Sequence, residues 1–141
     1  MSVPAEALRG SCLCGAVAFA ITTTPRGMGN CHCSMCRKHH GTAFATFIEV
    51  AAEGFQVLRG AEYIRCFRSS PNVERRYCAN CGGKLLFVAH EVPELLWVAA
   101  GALDDDPGLK PGYHIFVGSK APWYEIRDQL PQHEAYPSAE T

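Results

Sequence analysis

Large and small apolar residues alternate from Gly15 to Ile21, with Val17, Phe19 and Ile21 on one side and alanines on the other. Period two with small residues outward predicts a β-strand. The following TTTPRGMGN holds Pro25, Gly27 and Gly29 and reads as turn chemistry. Residues 34–40 fit one or two helical turns, with Ser34 as cap and Gly41 as stop. TAFATFIEV is β-branched and aromatic, which predicts a second strand ended by AAEG. FQVLRG, EYIRCFRS and VERRYC continue as short strands separated by Gly, Pro and Ser. KLLFVAH and ELLWVAAGAL are the most apolar stretches, divided by a turn at Pro93. DDDPGLKPG reads as a solvated loop, and YHIFVGSKAPWYEI as a last strand with an aromatic turn. The pattern predicts one all-β domain of short antiparallel strands over residues 10–132. Residues 1–9 are expected to be a frayed lead-in and residues 133–141 a flexible tail.

Composition narrows the classes. With 48% hydrophobic and 19% charged residues in 141, the chain can bury a modest core. Its 13 basic and 14 acidic residues leave a net charge of -1, so no general attraction to nucleic acid or an anionic membrane is expected. Arg65, Arg68, Arg75 and Arg76 do cluster, but alternating strand positions make them equally a solvated sheet face. MSVPAEALRGSCLCG lacks the charged and apolar blocks of a secretory signal, and no stretch is long and apolar enough for a membrane span. The expectation is therefore a cytoplasmic protein. ELLWVAA fits either the core or the seam of a homodimer.

In a reducing compartment, close-spaced cysteines point to metal ligation rather than to a disulfide framework. There are eight, Cys12, Cys14, Cys31, Cys33, Cys36, Cys66, Cys78 and Cys81. CLCG and CANCGG each set two thiols at a turn followed by glycine, which accepts the positive φ that a metal knuckle requires. Together Cys12, Cys14, Cys78 and Cys81 make a four-thiolate set suited to a structural zinc. Closing the long loop between Cys14 and Cys78 costs only a few kcal/mol, against about 10–16 kcal/mol from a structural zinc.

CHCSMCRKHHG supplies a second set. In an extended C-x-C, Cys31 and Cys33 point one way and His32 the other, and a turn at Ser34 returns Cys36 to them. The fourth position is open to two readings. His39, His40 or Cys66 could close it as another structural site, or it could be left for an outside ligand. Three thiolates and a divalent zinc leave one net negative charge, and an incoming thiolate doubles it. Arg37 and Lys38 stand ready to offset that charge and to meet carboxylates. An iron–sulfur cluster is disfavoured, because its cysteines are usually spaced more widely. Cys66 is expected to be a small buried hydrophobe, His114 a packed residue, and Trp123 and Tyr124 core or interface aromatics.

Taken together, GSCLCGAV, CHCSMCRKHHG, YCANCGG and HIFVGSKAPWYEI resemble the glutathione-dependent formaldehyde-activating enzymes, a family that includes the centromere protein V type domain. The resemblance runs over roughly residues 9–131 and implies a zinc-bearing β-tent. It implies two zinc ions per chain: a structural one on Cys12, Cys14, Cys78 and Cys81, and a catalytic one on Cys31, Cys33 and Cys36. The implied activity is a zinc-dependent carbon–sulfur lyase or synthase that adds glutathione, or a similar small thiol, to formaldehyde or another aldehyde. Arg37 and Lys38 would anchor the thiol's carboxylates, and His32, His39 or a water would move the proton. The rival expectation is a non-catalytic zinc module for a protein partner.

Overall fold

The computed structural model describes residues 3–137. Its elements in chain order are β1 (Leu8–Ser11), β2 (Ala18–Ile21), β3 (Gly27–Cys31), α1 (Ser34–His40), β4 (Ala45–Ala51), β5 (Phe55–Arg59), β6 (Ile64–Ser70), β7 (Val73–Cys78), β8 (Lys84–Ala89), β9 (Leu95–Ala99) and β10 (His114–Ile115). The architecture is all-β with one short helix.

β1, β2 and β5 form an antiparallel three-stranded sheet. The other seven strands form a second sheet in the order β10-β3-β4-β9-β8-β7-β6. The main core contains Phe19 and Ile21 of β2, Ile48 and Val50 of β4, Leu85 and Leu86 of β8, and Val98 of β9. All four residues of β2 are buried, alanines included. Alternation there sorts large side chains from small ones, not inside from outside.

Period two then places the opposite set of the larger sheet on its other face. Phe47, Phe87 and Trp97 pack there beside Cys31 and Cys36. Phe87 stacks on Trp97 at 4.9 Å between ring centroids, and Phe47 meets Phe87 edge-on at 4.8 Å. This aromatic ladder is the floor on which the cysteine-bearing helix rests.

Several boundaries depart from the pattern. β1 begins inside the expected lead-in, and β3 occupies the end of the expected turn. Gly29 belongs in β3 because a Cβ there would collide with the Tyr113 ring. β10 pairs with β3 in parallel for two residues only, His114 beside Asn30 and Ile115 beside Cys31. The next residue, Phe116, turns into the left-handed region at φ 56 and ends the strand. Residues 131–135 run alongside this segment in the same direction, with a parallel bridge between His114 and Gln132. His114 N donates to Pro131 O at 2.9 Å, His133 N to His114 O at 2.9 Å and Phe116 N to Ala135 O at 3.1 Å. Residues 138–141 of the expected tail lie outside the described residues.

Candidate metal centres

The sulfurs of Cys12, Cys14, Cys78 and Cys81 all lie within 4.8 Å of one another. The first pair follows β1; the second forms the connection from β7 to β8. Gly15 and Gly82 take φ of 80 and 77, as the knuckles require. Backbone N–H of Val17 donates to Cys12 Sγ at 3.3 Å and that of Gly83 to Cys81 Sγ at 3.4 Å. The Asn80 amide donates to Cys14 Sγ at 3.2 Å. Cys12 and Cys14 sulfurs are 3.6 Å apart, and those of Cys14 and Cys78 are 3.9 Å apart. Metal–sulfur bonds of about 2.3 Å in a tetrahedron give edges of about 3.8 Å. The donor set and its spacing therefore fit a tetrahedral thiophilic ion. The Asn80 hydrogen bond lowers the Cys14 thiol to about 6, whereas burial raises Cys78 to about 11.

Cys31, Cys33 and Cys36 make the second group, again with their sulfurs within 4.8 Å of one another. Cys31 ends β3, and Cys36 is the buried residue of α1. The N-cap is Cys33 rather than Ser34: its backbone is extended at φ -63, ψ 152, and its sulfur accepts from Cys36 N at 3.2 Å. The geometry that aims a C-x-C sulfur inward is also cap geometry, so the sulfur takes the place expected for a hydroxyl. Gly41 closes the helix in the left-handed conformation, as its sequence position predicts. Hydrogen bonding from the thiols of Cys31 and Cys36 holds Cys33 well below the ordinary thiol range, and the same contact raises Cys31.

Among the described residues, no histidine, cysteine or carboxylate joins the three sulfurs within that radius. None of the residues expected as closing ligands joins the trio. His39 meets the Tyr77 ring at 6.3 Å, and His40 the Phe47 ring at 5.4 Å. Cys66 is exposed on β6, not buried, because β6 is an edge strand of the larger sheet. Arg37 Nε donates to Ser119 O at 3.2 Å, which docks the helix against the 117–119 turn; Lys38 is exposed.

His32 is fully buried, and its Nε2 lies 2.8 Å from His114 Nδ1. His114 Nε2 in turn lies 3.0 Å from Asp128 Oδ2. The carboxylate accepts the His114 Nε2–H, leaving Nδ1 to accept from His32. This chain of polar contacts ties the cysteine strand to β10 and the loop beyond. Trp123 is 71% exposed and so is not a core residue, while Tyr124 packs on Phe44 at 5.4 Å.

Two residues at the trio were not singled out for it from sequence. Phe116 packs against its cluster from a left-handed backbone, which a bulky residue rarely adopts. No local pattern announces that conformation. Arg75 donates from Nη1 to Cys36 Sγ at 3.4 Å and is buried, not part of a solvated face. Its signal was available: Val73 and Tyr77, at i-2 and i+2, put an apolar pair on the same strand face.

The glutathione-dependent formaldehyde-activating enzyme family model matches residues 7–119, a span that contains every cysteine of both groups. The chain belongs to this family. A protein of Halomonas elongata, provisionally named a glutathione-dependent formaldehyde-activating enzyme, is 33% identical over 131 residues, which cover 86% of this chain and 82% of that one. A crystal structure of a Rhodobacter sphaeroides protein superimposes with a TM-score of 0.60 at 25% identity, covering 73% of this chain and 91% of that one. In this member of the formaldehyde-activating family, the four-sulfur group joins the two sheets and the three-sulfur group lies over the aromatic ladder.

Proposed function

We propose that this protein is a zinc-dependent carbon–sulfur lyase or synthase that adds a small thiol, glutathione or a close analogue, to formaldehyde. The observation that carries the reading is a group of three cysteine sulfurs with no fourth side-chain ligand beside it among the described residues, in a chain of the formaldehyde-activating family. Both sulfur groups fit zinc, giving two ions per chain: the four-sulfur one structural, the three-sulfur one catalytic. A zinc ion held by the trio would accept the substrate's sulfur as its fourth ligand and favour the thiolate.

The chain's own residues do the rest. With Nε held by Ser119 O, Arg37 would use its Nη groups, together with Lys38, to meet the carboxylates of the thiol's peptide arm. A cleft of about 670 Å³ is lined by Cys12, Leu13, His40, Thr42, Lys84 and Asp104, so it borders the four-sulfur group and includes none of the trio's cysteines. Its wall also includes Ala45, the β4 partner of Cys31. Ile115 and Phe116 wall the trio with apolar surface and limit water at the reacting carbon.

The reaction forms one C–S bond. The thiol loses its proton, the carbonyl π pair moves to oxygen, and the new hydroxyl regains a proton, so acid is neither produced nor consumed. His32 is not free to carry that proton through Nε2, which His114 holds.

NMR with ¹³C-formaldehyde and glutathione tests the reading. Adduct formation and breakdown should exceed the uncatalysed rate and depend on protein concentration. A rate equal to background would overturn this substrate pair.

A further inference from the structure

β7 carries a cation on an apolar face. Arg75 is only 5% exposed. Its neighbours across the sheet are Phe67 on β6 and Phe87 on β8, and its guanidinium carbon lies 5.7 Å from the centroid of the Phe87 ring. Nε donates to Ser69 Oγ at 2.9 Å, and Nη1 to Cys36 Sγ at 3.4 Å. Among the described residues, the ion pairs of β7 involve Glu74 and Arg76 on its opposite face, and none includes Arg75.

A guanidinium withdrawn from water without an anion costs several kcal/mol. The Phe87 ring offsets only a part of that, and Ser69 is neutral. The remaining partner is Cys36, and a neutral thiol is a weak acceptor. The arrangement suits a Cys36 that carries negative charge, which is its condition as a metal ligand. Three thiolates around a divalent ion leave one excess negative charge, and Arg75 cancels it.

We propose that Arg75 is a positioning residue of the second metal centre: it holds Cys36 by an N–H···S bond and supplies the positive charge that lets the trio accept a further anionic sulfur. The part that concerns the added sulfur rests on the reading of the trio as an open zinc site. Lys38 is exposed on α1 and Arg37 is docked on the 117–119 turn, whereas Arg75 reaches Cys36 from the sheet face beneath the helix. Ser69 and the Phe87–Trp97 stack fix the direction of its fork.

Cobalt-substituted full-length protein tests this without reference to turnover. Metal affinity of each site is read by chelator competition, and the visible cobalt bands report glutathione or imidazole entering the second site. Arg75→Met keeps the stem and removes the charge. It should weaken metal binding at the trio and glutathione entry by roughly ten- to a hundredfold, while the four-sulfur site and imidazole entry stay unchanged. Arg76→Met, on the opposite face, should change neither. Equal losses for glutathione and imidazole would reduce Arg75 to a packing role and overturn the proposal, as would no loss at all.

Should wild-type protein take up no added thiol, the open-site reading fails. Arg75 is then judged by metal affinity alone, and equal second-site affinity in wild type and Arg75→Met overturns it. Should Arg75→Met fail to fold, Ser69→Ala frees the fork and Arg75→Lys keeps charge without the fork. Both should lose metal affinity at the trio by several-fold, and wild-type affinity in both would overturn the proposal.

Discussion

Cys33 does two jobs with one atom. Its sulfur belongs to the trio and also caps α1 through Cys36 N. Cys33→Ala should therefore lower bound zinc from two ions per chain to one and fray the helix, while Cys12, Cys14, Cys78 and Cys81 keep theirs. Elemental analysis with circular dichroism checks this, and two retained ions would remove Cys33 from the ligand set. His39 and His40, further along the helix, are each lowered to about 4 by burial. Their unfolded values lie near 6.5. Between those limits the unfolded chain binds protons that the native chain refuses, so stability falls as pH drops from about 6.5 toward 4. Replacing both with glutamine should flatten that fall. Urea midpoints near pH 5 and pH 7 measure it, and an unchanged difference between them would clear the two imidazoles.

At the scale of elements, two left-handed glycines make a contrast. Gly41 ends α1 at φ 66 with open space around its missing Cβ, whereas a Cβ on Gly60 would collide with the Ala16 carbonyl. Gly41→Ala should cost about 1 kcal/mol of unfolding free energy. Gly60→Ala adds a backbone collision to the conformational penalty and should cost roughly 3 kcal/mol or more. Equal denaturant midpoints for the two variants would contradict the packing at the start of β2.

The same contrast explains what was legible from sequence. VERRYC, KLLFVAH and ELLWVAAGAL contain β7, β8 and β9, because local alternation and β-branched content coincide with their place in the sheet. β3 was hidden, since Gly27 and Gly29 read as turn until Tyr113 arrives from far along the chain to cover Gly29. The cysteine groups were legible because a knuckle is local chemistry: C-x-C, glycine and C-x-x-C suffice. Arg75 and Phe116 were not assigned to the trio, because their partners are set by register across the sheet and by a β10 of two residues.

For the whole molecule, the four-sulfur group is the link between the sheets. Cys12 lies just past the end of β1 and Cys78 ends β7, so one ion would bridge the smaller sheet to the larger. Removing it with a strong chelator should release β1 and β2 first. Amide exchange at Leu8–Ser11 and Ala18–Ile21 should then rise well before exchange at Leu95–Ala99, a central strand of the larger sheet. Simultaneous loss of protection in both regions would mean that the core alone couples the sheets.

The parallel pairing of His114 and Ile115 with Asn30 and Cys31 also sets a schedule. On the ribosome, the trio leaves the exit tunnel long before the residues that wall it have been translated. For that interval its thiols face oxidants and stray ions without Ile115 or Phe116 beside them. A chain ending between residues 82 and 113 would keep all seven clustered cysteines but lack that wall.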